Sequence, residues 1–161
     1  MAIVKIGDRA PTFTLPTDNK GSVALVKLKG KNVVIYFYPK DDTPGCTLEA
    51  KEFRDLMPEF EKLNTVIIGM SKDSTESHTK FKEKFCLPFI LATDESGRVC
   101  EEYGVWTEKS MYGKKYMGID RTTFLIDAEG KISHIWQKVR VEGHAKEVLE
   151  AVKGVETAKA S

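Results

Sequence analysis

Runs of apolar β-formers alternate along the chain with segments of helical period. Val33-Val34-Ile35-Tyr36-Phe37-Tyr38 sets six apolar residues in succession, the pattern of a central strand covered on both faces. Residues 65–70 and 122–126 repeat it. Residues 131–137 follow across Asp127-Ala128-Glu129-Gly130, whose Glu-Gly pair suits a hairpin. Near the start, short runs at 13–15 and 23–26 flank Asp18-Asn19-Lys20-Gly21 and predict a small N-terminal hairpin.

Between these runs the apolar spacing becomes helical. Residues 48–63 bring Phe53, Leu56, Met57, Phe60 and Leu63 to one face. Pro58 lies inside that stretch and predicts a kink or break. Ser74 or Thr75 can cap a second helix reaching Phe85, with His78, Phe81 and Phe85 on one face. A short third helix is expected over 97–103. A fourth, over 142–152, turns Ala145, Val148, Leu149 and Val152 inward, and 155–161 are expected to form a disordered tail. Alternating elements of this kind predict an α/β fold with one domain over 1–154. Its central sheet is mixed: crossover helices make parallel pairs, and the 122–137 hairpin adds an antiparallel one.

Composition narrows the possible functions. The chain has 161 residues, 30% charged and 41% hydrophobic, with a net charge of +1. Near-neutrality argues against an electrostatic grip on nucleic acid or anionic lipid. The apolar run at 33–38 falls far short of the roughly 20 residues of a membrane helix. Residues 1–11 mix Lys5, Asp8 and Arg9 among apolar positions, unlike a signal peptide, so the expected location is the cytoplasm.

The cysteines carry the next inference. There are three, Cys46, Cys86 and Cys100, without any CxxC pair. An odd number without a secretory signal does not read as a disulfide scaffold. His78, His134 and His144 stand at no metal-ligand spacing, and each reads as a surface or packing residue. Neither a metal nor a cofactor is expected.

Pro39-Lys40-Asp41-Asp42-Thr43-Pro44-Gly45-Cys46-Thr47 joins the most apolar strand to the first long helix. In open α/β sheets, ligands bind outside the carboxyl ends of the strands. Thr43 is a good N-cap and Pro44 a favoured first helical residue, which puts Cys46 at the third helical position. There the unpaired N–H groups and the positive end of the helix dipole favour a thiolate. A free cysteine titrates near 8.5, and such a setting with a cationic neighbour lowers that by one to several units. Two prolines, two aspartates and a glycine spent on one backbone path make Cys46 more than filler.

Several thiol chemistries fail on the residues. A Cys-x5-Arg phosphate cradle needs arginine where Glu52 stands, and a CxxC redox pair needs cysteine at Thr43 or Glu49. The Gly-Lys pairs at 30, 113 and 130 lack the following Ser or Thr of a P-loop. A papain-like Cys–His pair is compatible with the spacing but has no local signature. What survives best is a lone activated thiolate beside a hydroxyl donor.

Pro39-x3-Thr43-x2-Cys46 resembles the Pro-x-x-x-Thr/Ser-x-x-Cys motif of peroxiredoxins, and Asp-Asp-Thr-Pro-Gly-Cys-Thr most resembles the bacterioferritin comigratory protein, or Q-type, subfamily. Gly7-Asp8-x-Ala10-Pro11-x-Phe13, Gly69-x-Ser71-x-Asp73-Ser74 and Gly118-Ile119-x-Arg121-x-Thr123-Phe124-Leu125-Ile126 extend the likeness over nearly the whole chain. The resemblance implies a thioredoxin-like fold and an antioxidant peroxidase that reduces hydrogen peroxide and organic hydroperoxides. It implies Cys46 as the nucleophile that becomes a sulfenic acid. Thr43 would bind the peroxide and orient the thiolate, and Arg121 would donate to sulfur and peroxide and lower the thiol pKa. Gly45 and Cys46 would offer backbone N–H groups, and Pro39 would shield the sulfur. Thioredoxin or a small thiol would be the reductant, and the chain a monomer or weak dimer. Two other readings remain open on the same fold, a thiol–disulfide oxidoreductase and a peroxide-sensing switch.

The chain departs from the subfamily pattern in one respect. Many Q-type members carry a resolving cysteine five residues after the first, where this chain has Lys51. Others carry it in the next helix, which here contains none. Cys86, just past that helix, is the remaining possible resolving cysteine, and its neighbours Phe85, Leu87, Pro88 and Phe89 argue for burial. Cys100 reads as a small core residue. A one-cysteine cycle closed by an external thiol is therefore expected. Trp106, Trp136 and the Met111-Tyr112 pair are expected in the core.

Overall fold

The computed structural model describes residues 4–160; the first three residues of the 1–11 stretch and the last residue of the expected tail lie outside it. Thirteen helices and strands follow in order: β1 (Thr14–Pro16), β2 (Ser22–Ala24), β3 (Asn32–Phe37), α1 (Pro44–Lys62), β4 (Thr65–Ser71), α2 (Thr75–Phe85), β5 (Ile90–Thr93), α3 (Arg98–Glu102), β6 (Trp106–Met111), β7 (Lys114–Ile119), β8 (Thr122–Ile126), β9 (Ile132–Trp136) and α4 (His144–Ala160), with short 3-10 turns on either side of β2.

Five strands make the central sheet in the order β5-β4-β3-β8-β9. β3, β4 and β5 run parallel, while β8 and β9 are antiparallel to their neighbours. β1 and β2 form the expected N-terminal hairpin. All six residues of β3 are buried, as an uninterrupted apolar run at the sheet centre requires. Alternate residues feed two cores. Val33, Ile35 and Phe37 pack with Phe13, Met70, Tyr103 and Phe124 on one face. Val34 and Tyr36 pack on the other with Phe53 and Phe60 of α1, Phe81 of α2 and Val148, Leu149 and Val152 of α4.

α1 continues through Pro58 for 19 residues, so of the expected kink or break the break does not occur. Pro58 lies on the exposed side, where water can satisfy the carbonyl freed by the missing N–H. Residues 155–160 are the last turns of α4 rather than a tail, because Val155 packs against the α1-side core. Met111 and Tyr112 are exposed, Tyr112 at 97%. They sit at the tip of the β6–β7 ribbon, where Met111 faces Lys114 across Tyr112-Gly113. Both turn residues have positive φ, 52° and 78°, which suits a two-residue hairpin. The ribbon's side chains are mostly solvent-facing, so no apolar alternation announced it. Trp106 and Trp136 are half-buried at the edges of the two cores.

Candidate active site

β3 delivers the chain to its carboxyl end at Phe37, and residues 38–43 turn it into α1. Asp42 makes that turn with φ 58° in the left-handed region, which aspartate tolerates better than most residues. α1 starts at Pro44, so Cys46 is its third residue, as expected, and is 1% exposed. The first-turn N–H groups, Gly45 and Cys46 among them, have no partner within the helix by its geometry.

Arg121 comes from the other side of the sheet centre. β3 and β8 pair antiparallel with Phe37 opposite Thr122. Arg121, one residue before Thr122, therefore sits beyond the end of β3 beside the first turn of α1. Its Nη2 donates to Cys46 Sγ at 3.2 Å and its Nη1 to Glu49 Oε1 at 2.6 Å. The Arg121 side chain is 17% exposed and that of Glu49 1%. Gly45 belongs to the same corner, since a Cβ there would lie 3.4 Å from Arg121 Nη2.

Glu49 is a site residue that no motif in the sequence marks. It lies three residues after Cys46, and Cys46, Glu49, Ala50, Phe53 and Phe60 are all buried residues of α1. An acidic residue on the apolar stripe of a helix was the available signal. Burial pushes its carboxyl up to about 7, with Arg121 pulling the other way. Burial also opposes the Arg121 charge, but Glu49 and Cys46 outweigh it and raise the guanidinium pKa. Tyr36, behind the site, is held well above its usual range by burial first and then by Glu49.

Thr43 occupies the N-cap position without capping through its side chain. Its hydroxyl instead donates to the Lys40 carbonyl at 3.0 Å, a local turn bond that competes with capping. Thr43 is half-buried and Pro39 exposed.

The other two cysteines separate clearly. Cys100 is fully buried, and burial followed by the Asp94 contact drives its thiol far up, the behaviour of an inert core residue. Cys86 is exposed, against the burial expected from its apolar neighbours. It caps α2 in the left-handed conformation, with φ 53° and ψ 52°, so Leu87 and Phe89 turn into the core while Cys86 stays outside. Phe85 before it rests on α1: Arg54 Nη1 donates to its carbonyl at 2.9 Å, and Lys51 Nζ lies 5.1 Å from its ring centre.

Chemically, a shielded first-turn thiol under a guanidinium can act as a nucleophile whose attack leaves a stabilised anion. Together with the sheet order, this defines a thiol-based redox enzyme on a thioredoxin-like frame. Residues 6–135 match the AhpC/TSA family. A putative peroxiredoxin bcp from Coxiella burnetii is 55% identical over 91% of this chain and 97% of its own length. Peroxiredoxin Bcp from Bacillus subtilis is 50% identical over 93% and 96%. Among solved structures, the Xanthomonas campestris bacterioferritin comigratory protein, studied for its alkyl peroxide reduction, superposes with a TM-score of 0.89. It is 40% identical over 97% of this chain and 99% of that one. This chain belongs to the AhpC/TSA family and is a peroxiredoxin of the Bcp, or Q-type, group, a thiol-dependent peroxidase.

Proposed function

We propose that Cys46 is the peroxidatic cysteine and that it reduces hydrogen peroxide and organic hydroperoxides. The observation that carries this reading is the 3.2 Å contact between Arg121 Nη2 and Cys46 Sγ in the first turn of α1. The thiolate attacks the terminal peroxide oxygen, an S–O bond forms and the O–O bond breaks. Cys46 is oxidised by two electrons to the sulfenic acid, and the leaving alkoxide or hydroxide takes a proton to become alcohol or water. Arg121 stabilises both the thiolate and the charge developing on the leaving oxygen. Gly45 and Cys46 add backbone N–H donors. Thr43 turns its hydroxyl from the Lys40 carbonyl toward the peroxide, and Pro39 sheds water from the sulfur.

An external thiol then condenses with the sulfenic acid, releasing water, and a second thiol reduces the mixed disulfide. Thioredoxin or a small thiol fills this role, in the cytoplasm, with the enzyme working as a monomer or weak dimer in antioxidant defence. Among the described residues no helix is long and apolar enough to cross a membrane. A second reading has Cys86 resolve the sulfenic acid. Its exposure, and the seating of Phe85 on α1 only one to two turns beyond Cys46, favour it.

Peroxide consumption by wild type, Cys46→Ser, Cys86→Ser and Cys100→Ser, with thioredoxin or dithiothreitol as donor, tests the scheme. Loss of turnover only in Cys46→Ser is expected. After one equivalent of peroxide, mass spectrometry distinguishes the two cycles: one added oxygen supports external resolution, and a linked 46–86 peptide two hydrogens lighter supports Cys86. A slow reaction with peroxide beside efficient disulfide reduction would instead indicate a thiol–disulfide oxidoreductase.

A further inference from the structure

Behind the loop that leads into α1 lies a second cluster of buried titratable groups that the peroxidase scheme does not use. His78, in the first turns of α2, is fully buried, and the Asp41 side chain is 3% exposed. His78 Nδ1 lies 2.7 Å from Asp41 Oδ2, and Nε2 lies 3.0 Å from the Ala92 carbonyl oxygen. Asp41 Oδ2 also accepts from Ser77 Oγ at 2.8 Å, and Oδ1 accepts from Tyr38 Oη. The backbone N–H of Asp41 donates to Asp73 Oδ2 at 2.8 Å, and Asp73 is steadied by Ser71.

We infer that His78 carries a proton on each ring nitrogen and, as a positioning residue acting through Asp41, fixes the loop that presents Thr43 and Cys46. A carbonyl oxygen only accepts, so Nε2 must be an N–H. On the other side, Asp41 is surrounded by the Tyr38 and Ser77 hydroxyls and Nδ1. Both carboxylate oxygens already accept from a hydroxyl, and of the two groups sharing the 2.7 Å contact the imidazole is the stronger base, which makes Asp41 the anion and Nδ1 an N–H as well. The charged and polar groups facing the ring agree. They are Asp41 from the loop, Asp73 from the β4–α2 connection within 4.8 Å, Tyr38 Oη at 3.4 Å and the β5 carbonyl. Each offers the ring an acidic or accepting atom, the Tyr38 hydroxyl having its hydrogen on Asp41 Oδ1, and the imidazolium sets a positive charge beside two carboxyl groups.

The positional consequence follows from where Asp41 stands. Four hydrogen bonds hold it, one through its backbone and three through its carboxylate, and they reach the end of β3, the β4–α2 connection and the first turns of α2. One residue later the chain makes its left-handed turn at Asp42, and α1 begins two residues after that. The start of α1, and so the seat of Cys46 beneath Arg121, is set from the α2 side. Misplacement of a reacting group by about 1 Å costs on the order of 100-fold in rate.

The functional half of this inference rests on Cys46 being the nucleophile, so the experiment reads the two halves separately. In the full-length nitrogen-15-labelled protein at neutral pH, two-bond proton–nitrogen correlations should show both His78 ring nitrogens protonated. In Asp41→Asn, whose amide can donate to Nδ1, they should show one protonated and one bare nitrogen. A wild-type ring with one bare nitrogen overturns the inference, whatever the activity. For the positional half, His78→Ala and Asp41→Ala should lose about 10- to 100-fold in the second-order rate with peroxide and react more slowly with iodoacetamide at Cys46. Asp41→Asn should fall between Asp41→Ala and wild type. Rates within twofold of wild type in both alanine variants overturn the positional role. Should an alanine variant fail to fold, the Asp41→Asn rate and spectrum decide: a wild-type rate or an unchanged ring overturns the inference. If wild type and Cys46→Ser consume peroxide equally, the assignment of Cys46 fails, while the ring-nitrogen result still stands or falls alone.

Discussion

Replacing Arg121 by alanine removes two donors with different duties, and the structure separates their costs. One donor meets Cys46 Sγ at 3.2 Å and the other meets Glu49 Oε1 at 2.6 Å. Deleting a preorganised donor from a site where charge develops costs about 100- to 1,000-fold in rate. On the stability side, the deletion strands Glu49, which is 1% exposed. A buried charge left without its partner would cost about 3–5 kcal/mol. With its carboxyl already pushed up to about 7, Glu49 can take a proton instead. The cost then falls to that of an unsatisfied buried polar group, about 1–3 kcal/mol, or roughly 2–12 °C in Tm for a chain of this size. Stopped-flow peroxide reduction and thermal unfolding of Arg121→Ala measure the two effects. Glu49→Met/Arg121→Ala, which replaces both partners by apolar groups, should recover part of the stability and none of the rate. A rate loss under about tenfold beside a large fall in Tm would refute the reasoning, because Arg121 would then be a structural ion-pair partner only.

Three further outcomes are expected. The raised Glu49 carboxyl binds a proton more tightly in the folded than in the unfolded chain, so its contribution to stability is full at low pH and lost as pH rises toward about 7. Wild type should therefore lose stability relative to Glu49→Gln between about pH 5 and about pH 8, by at most about 3 kcal/mol in urea titrations; parallel curves would contradict this. Gly69→Ala should destabilise by about 1–3 kcal/mol by the same measurement, since its Cβ would come within 2.9 Å of the Tyr36 ring and 3.0 Å of Leu91. Pro58→Ala should raise the unfolding free energy by about 1–3 kcal/mol by adding the missing bond to a helix that already continues past this position, and a loss of stability would count against that continuity.

The apolar runs and the loop chemistry made much of this protein legible. β3, the antiparallel β8–β9 pair and Cys46 in the first turn of α1 all stand where the spacing put them, because each depends on residues adjacent in the chain. The misses share a cause. The β6–β7 ribbon has solvent-facing side chains and so no apolar period. Pro58 sits on the exposed side of α1, where water can take the place of its lost bond and the helix continues. Cys86 is turned outward by a left-handed cap whose φ no neighbour announces.

Local physics thus specifies a strand, a proline-bounded turn and a helix start that presents a thiol to its own unpaired N–H groups. What surrounds that thiol comes from contacts distant in sequence. Arg121 reaches Cys46 across 75 residues because β3 and β8 pair with Phe37 opposite Thr122. Glu49 becomes a site residue because burial and that same arginine act on it together. Strand register is set by two faces of a sheet burying their side chains at once, and hydrogen-bond partners follow from register. A chain can encode such a pairing in its pattern of apolar residues, but which side chains then meet is decided by the closed sheet and its two packed cores.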